Sequence, residues 1–68
     1  MAGSVARVTE ISASSTKSFE DAIKVGLDRA NKTLRNVTGA WVKEQKVTLD
    51  KGNVDAYIVH LLVTFVLD

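Results

Sequence analysis

Few residues of this chain are equipped for chemistry, and they do not gather into a constellation that performs it. His60 is the only histidine, and the 68 residues include no cysteine, which excludes disulfides, thiolate metal sites and a thiol nucleophile. A metal site built on His60 would have to recruit symmetry-related copies of it. The other role open to a lone histidine in an apolar strand is that of a satisfied interface residue. The serines and threonines cluster in Ser12-Ala-Ser-Ser-Thr16 and near the ends of a helix, where turns and caps account for them, so no nucleophile, base and orienting group are aligned. The four glycines are isolated and make no phosphate loop. Glu44, Asp50, Asp55 and Asp68 could offer oxygen ligands to a hard cation or serve as solvated charge. The run Asp50-Lys-Gly-Asn-Val-Asp55 lacks the alternating ligands and terminal bidentate glutamate of a calcium loop. No catalytic residue is assigned, and the chain reads as a non-enzyme.

The elements that must position these residues are dominated by the last strand. Val54 to Leu67 reads as one long strand that is apolar on both faces. Tyr57, Val59, Leu61, Val63, Phe65 and Leu67 fall on one side. Ile58, Leu62 and Val66 fall on the other, interrupted only by His60 and Thr64. Successive strand residues point to opposite sides, so two apolar sets require two buried faces. The rest of the chain supplies one helix, which covers one face of a small sheet. The second face, with Ile58, His60, Leu62, Thr64 and Val66, is expected to meet another subunit. Chains of this size bury only roughly 60% of the surface they expose when unfolded, and with disulfides excluded, oligomerisation is the remaining staple.

Upstream, a first strand is expected over Val5 to Ile11, followed by a polar connection from Ser12 to Thr16. Ser18 suits a helix N-cap, with Asp21 reaching back to it and Glu20 and Asp21 placing negative charge at the positive helix end. Phe19, Ala22, Ile23, Gly26, Leu27, Ala30 and Leu34 recur at helical spacing and form a single stripe. Lys32 and Arg35 suit the C-terminal end, and Asn36-Val-Thr-Gly39 stops the helix. A second strand over Ala40 to Leu49 and a turn at Asp50-Lys-Gly-Asn53 complete a hairpin with the last strand. The fold class is α+β: a single β-α-β-β domain over residues 1–68, with a three-stranded antiparallel sheet wrapped around one amphipathic helix. The hairpin pairs the second and third strands antiparallel, and the helical crossover lays the first strand parallel to the second on the far side of the third.

The net charge of +1 is spread over interspersed Lys, Arg, Asp and Glu, which argues against a nucleic-acid footprint. No basic segment followed by an apolar run opens the chain, so no secretory signal is read. Ile58 to Leu67 is far shorter than the ~20 residues of a membrane helix and rich in β-branched residues. A soluble, cytoplasmic protein with no membrane partner is the expectation.

Val-Ala-Arg-Val-Thr-Glu-Ile (5 to 11), the Ser14-Ser15 turn, Ser18-Phe-Glu-Asp-Ala-Ile23, Arg29-Ala30, Lys32-Thr-Leu-Arg35, Val42-Lys-Glu-Gln45, and Tyr57 with Leu61-x-Val-x-Phe65-x-Leu67 together resemble the dodecins. The resemblance runs through almost the whole chain in register. It implies a β-α-β-β subunit, twelve copies of which close into a hollow homo-dodecameric shell that binds or stores a small molecule or ion without catalysis.

The family's best-known ligands are flavins, FMN or riboflavin among them. In flavin-binding members a tryptophan five residues after the leucine of the Thr-Leu-Arg segment stacks on the ring, and a glutamine after the tyrosine of the last strand reaches its polar edge. Here those positions hold Gly39, which has no π-face, and Ile58, which has no donor or acceptor. Flavin binding of the family type is therefore disfavoured. Trp41 lies two residues past the stacking position, displaced by about 7 Å on a regular strand, and a bulge near Thr38-Gly39 could move it back. Filling a subunit interface and stacking on a flavin or other planar ligand are the two roles open to it. The segment Val42-Lys-Glu-Gln45 is similar to dodecins that lack the flavin tryptophan, some of which hold calcium. Trp41, near the stacking position, and Glu44 and Gln45, beside it on an interface strand, are the candidates for a site at a symmetry axis: Trp41 and Gln45 for ligand binding and, on that likeness, Glu44 for calcium. The alternatives left open are a flavin binder that uses Trp41 and a purely structural oligomer.

Overall fold

The computed structural model describes residues 3–67. The element order is β1 (Ala6–Ser15), α1 (Phe19–Thr33), β2 (Val37–Asp50) and β3 (Asn53–Val66). The strands form one sheet in the order β1-β3-β2, with β3 antiparallel to both neighbours. The most apolar strand, β3, is thus central, as its two apolar faces demand.

The hairpin turn is as tight as two residues allow. Lys51 and Gly52 have φ of 52° and 84°, the paired left-handed conformation whose twist matches that of the strands it joins. Asp50 and Asn53 close it as the last register pair.

The first strand is longer than expected. Ser12 to Ser15, read above as a polar connection, continue β1 and pair with His60, Val59, Ile58 and Tyr57. Local serine chemistry favours turns, but a long neighbour offering ladder hydrogen bonds overrides it. The strand then ends on a side-chain relay. The Ser15 hydroxyl donates to Asp21 Oδ2 at 2.6 Å, and the Lys17 N–H donates to Ser15 Oγ at 2.9 Å. Ser18 caps α1 as expected by accepting from the Asp21 N–H at 3.0 Å. The Asp21 carboxylate serves Ser15 and not the Ser18 backbone, so the reciprocal half of the expected capping box is replaced by a tie to β1.

The helix ends at Thr33, where the extended Leu34 donates its N–H to the Ala30 carbonyl at 2.8 Å; beyond it Asn36 takes φ of 60°, and the Val66 N–H donates to the Asn36 carbonyl at 3.1 Å. The second strand starts directly afterwards, at Val37 and not Ala40, because Val37 is drawn into pairing with Phe65.

The core lies between α1 and the inner face of the sheet. Ala22 and Ala30 from the helix and Val59, Leu61 and Val63 from β3 are buried, ringed by Ile11, Phe19, Ile23, Leu27 and Leu34. Phe19 meets Tyr57 edge-on, with ring centroids 5.1 Å apart. Small residues at Ala22, Gly26 and Ala30 bring the helix close to the sheet. A Cβ on Gly26 would lie 3.0 Å from Ala13 Cβ and 3.2 Å from Leu61 Cδ1, so the closest approach requires glycine. The helix packs on β1 and β3 and barely reaches β2. The hairpin therefore runs on past the layered part of a molecule 56 Å long and 20 Å wide.

Candidate functional site

The site is the sheet face turned away from α1. Directly paired strand residues share a face, so the register places its side chains in rows. One row is Val8, Thr64 and Gly39; the next is Glu10, Leu62 and Trp41; then come Ser12, His60 and Glu44, and finally Ser14, Ile58 and Lys46. Among the described residues no element covers these rows. Trp41 is 68% exposed, while Ile58, His60, Leu62, Thr64 and Val66 are half-buried by their neighbours within the sheet.

Two irregularities in β2 decide which residues meet there. The register shifts between Val37 and Gly39, leaving Thr38 unpaired, and again between Val42 and Glu44, leaving Lys43 unpaired. On a regular strand Trp41 and Glu44 would face opposite ways. The extra residue at Lys43 puts both on the open face. It also sends Gln45, paired with Val59, to the helix-side face, so Trp41 and Glu44 are brought together and Gln45 is separated from them. The irregularity at Thr38 does not carry Trp41 into the place of Gly39. Gly39 remains in the row of Thr64 and Trp41 in the row of Leu62.

The polar part of the face is a cluster that includes two residues absent from the expected site. Glu10 lies between Lys43 and His60, with Lys43 Nζ 3.5 Å from its Oε1 and His60 Nδ1 3.7 Å from its Oε2. Glu10 and Lys43 are both largely exposed, so these are loose, solvent-screened contacts. Glu10 was detectable in the sequence, since it alternates with Val8 and Ser12 on β1. Lys43 was not, because its reach depends on the bulge. Among the described residues no three His, Asp or Glu side chains converge on one point. Asp50 and Asp55 lie in and beside the hairpin turn, remote from Glu44 along the strand, and Asp68 falls outside the described residues.

The subunit thus combines an open sheet face of mixed polarity, a bulged second strand and an exposed tryptophan on that face. The Dodecin family model matches residues 5–68. The chain belongs to the dodecin family. Among solved structures, the dodecin from Streptomyces davaonensis is 33% identical, with 98% of each chain covered and a TM-score of 0.93. A point mutant of the Thermus thermophilus dodecin is 38% identical over 97% of each chain, with a TM-score of 0.91. The calcium dodecin of Mycobacterium tuberculosis, described as calcium chelating with a novel calcium-binding site, is 30% identical. It covers 96% of this chain and 93% of its own, with a TM-score of 0.82. A search of curated proteins gave no match. The dodecin fold and the β-α-β-β order expected from the sequence are thus those of the protein. Among the described residues of this dodecin no helix is long and apolar enough to cross a membrane.

Proposed function

We propose that this dodecin is a non-catalytic, self-assembling shell, a homo-dodecamer that binds, stores or buffers a small molecule or ion. The observation that carries this reading is the open face of β3, where Ile58, Leu62 and Val66 recur at every fourth position, Leu62 in one row with Trp41, and no element among the described residues covers them. Trp41, Ile58, His60, Leu62, Thr64 and Val66 form the subunit interface in this reading, and residues 1–68 act as one domain. Trp41 offers its ring to a planar ligand, and Gln45, on the other face, would have to serve from a neighbouring copy. Glu44 is the candidate calcium ligand. A cation there needs carboxylates from several copies, which a symmetry axis provides. A cytoplasmic location goes with this reading.

Flavin binding through Trp41 is the second reading, favoured by the exposure of that ring beside Leu62 on the open face. Against it stand Gly39 and Ile58 at the positions of the ring-stacking and edge-binding groups.

The test is light scattering coupled to size exclusion, with absorbance read into the visible and with flavin or calcium added to parallel samples. A particle of about twelve chains that takes up no flavin is the expected result. A monomer overturns the shell, and tight flavin uptake makes Trp41 the stacking residue. A particle indifferent to every added ligand leaves a purely structural oligomer.

A further inference from the structure

The two ring nitrogens of His60, the only imidazole of the chain, stand in different surroundings. On the β1 side Nδ1 is turned to Glu10 Oε2, 3.7 Å away, and Lys43 holds the other oxygen of that carboxylate at 3.5 Å. Among the described residues no group bonds to Nε2. On the β2 side the residue directly opposite His60 is Glu44, brought there by the unpaired Lys43 before it. Three neighbouring strands thus set out a carboxylate, an imidazole and a second carboxylate across the open face.

Side chains opposed across an antiparallel pair have Cβ atoms about 4.5–5.5 Å apart. That is close enough for an imidazole nitrogen and a carboxylate oxygen to share one ion at about 2.0–2.2 Å from each. Glu44 is exposed and, like Nε2, has no hydrogen-bond or ion-pair partner among the described residues. Lys43 is engaged by Glu10, and Lys46, one row further along the same face, does not come within ion-pair distance of Glu44. A histidine that ligates a metal gives its other ring N–H to a carboxylate or carbonyl, which fixes the tautomer and aims the free nitrogen. Glu10 stands where such an acceptor is needed. Its contact with Nδ1 is loose, and a cation on Nε2 would make the Nδ1 proton more acidic and draw the two together.

We infer that His60 Nε2 and Glu44 are ligands of a divalent transition ion of the zinc, nickel or copper class, with Glu10 as the positioning acceptor behind the imidazole. This rests on the reading that the protein takes up an ion, and it changes the class of that ion. Imidazole nitrogen suits zinc, nickel and copper, whereas calcium collects about six to eight oxygens. One subunit supplies two ligands, in keeping with the lack of a three-ligand cluster among the described residues. Water, or the same pair from a second copy, completes the tetrahedral set.

With no cysteine and no other histidine in the chain, the spectroscopic signature has one source. Copper(II) is added to the full chain, made without an affinity tag, and pulsed electron paramagnetic resonance is used to look for coupling to the remote nitrogen of an imidazole. Neither the terminal amine nor the backbone can give that signal. Zinc and calcium are titrated into parallel samples by calorimetry. The expected result is imidazole coupling in the unmodified chain and zinc bound in preference to calcium. Glu44→Gln should weaken zinc roughly tenfold or more and Glu10→Gln about 10–100-fold. Glu10→Gln should also change the quadrupole coupling of the remote nitrogen, Nδ1, because that coupling reports its hydrogen bond. A copper spectrum without the imidazole signal overturns the inference, as does zinc binding of unchanged strength in Glu44→Gln. Calcium uptake in either case leaves the ion-binding shell standing, whereas a protein that takes up none of the three ions overturns the inference and removes the ion from that reading as well.

Discussion

Both faces of β3 carry large apolar residues, and they have opposite fates. On the inner face Val59, Leu61 and Val63 are fully buried under Ala22, Gly26 and Ala30. On the outer face Ile58, Leu62 and Val66 are covered only by their neighbours in the sheet. The inner face shows what one helix of small residues can do at close range. The outer face shows what such a helix leaves undone in a chain of 68 residues: half of the central strand has no layer to lie against. Stability of the subunit therefore resides in one face, and in the proposed shell association falls to the other, so substitutions should separate the two.

The sharpest separation is expected at adjacent residues. Leu61→Ala removes buried methyl groups from the centre of the inner face and should cost about 2–5 kcal/mol, a large share of the stability of so small a domain. Chemical denaturation would show it, and a loss below 1 kcal/mol would mean that the helix is not seated where Leu61 places it. Leu62→Asp, one residue on, should leave the subunit spectrum intact and reduce the particle to a small species by light scattering. An unchanged particle would remove the outer face from the interface.

A smaller effect is expected where the helix touches the sheet. Gly26→Ala gains up to about 1 kcal/mol in helix propensity, but its Cβ would enter space 3.0 Å from Ala13 Cβ and 3.2 Å from Leu61 Cδ1. Overpacking of this kind costs about 1–3 kcal/mol, and Ala13 can retreat only by moving the β1 backbone, so a net loss near 1 kcal/mol is expected in thermal or chemical melts. A gain would show that the edge strand yields. The smallest effect belongs to the polar cluster on the open face. Glu10→Gln breaks exposed contacts to Lys43 and His60 and should change subunit stability by less than about 0.5 kcal/mol. A larger change in melting would place Glu10 in a buried environment that the separate subunit does not have.

Much of this architecture was legible because its causes are local. The seven-residue apolar stripe from Phe19 to Leu34 has only one periodicity, and Ser18 before it has only one good role. Lys51-Gly52 between two β-branched runs makes a two-residue turn. The candidate site was legible in part. The face of Leu62, His60 and Thr64 follows from strict alternation along β3. The companions expected for Trp41 did not, since one unpaired residue at Lys43 reverses every assignment downstream, keeping Glu44 and excluding Gln45. Alternation along β1 places Glu10 on this face, but its contacts with His60 on the adjacent strand and Lys43 two strands away are set by the register of the sheet.

By itself, then, the sequence determined the number and type of the elements, the central place of the last strand and its need for two covering layers. Each of these follows from side-chain period and turn chemistry within a few residues. Tertiary structure alone decided that Ser12 to Ser15 extend β1, that Asp21 is tied to Ser15, that bulges at Thr38 and Lys43 sort β2 between the faces, and that the hairpin outruns its helix. For the extension of β1 and the bulges of β2 the physical reason is the same: ladder hydrogen bonds to β3, far away in the chain, whose register overrides the weak preferences of polar residues for turns or regular strand. The tie between Ser15 and Asp21 spans only six residues but depends on β1 running as far as Ser15.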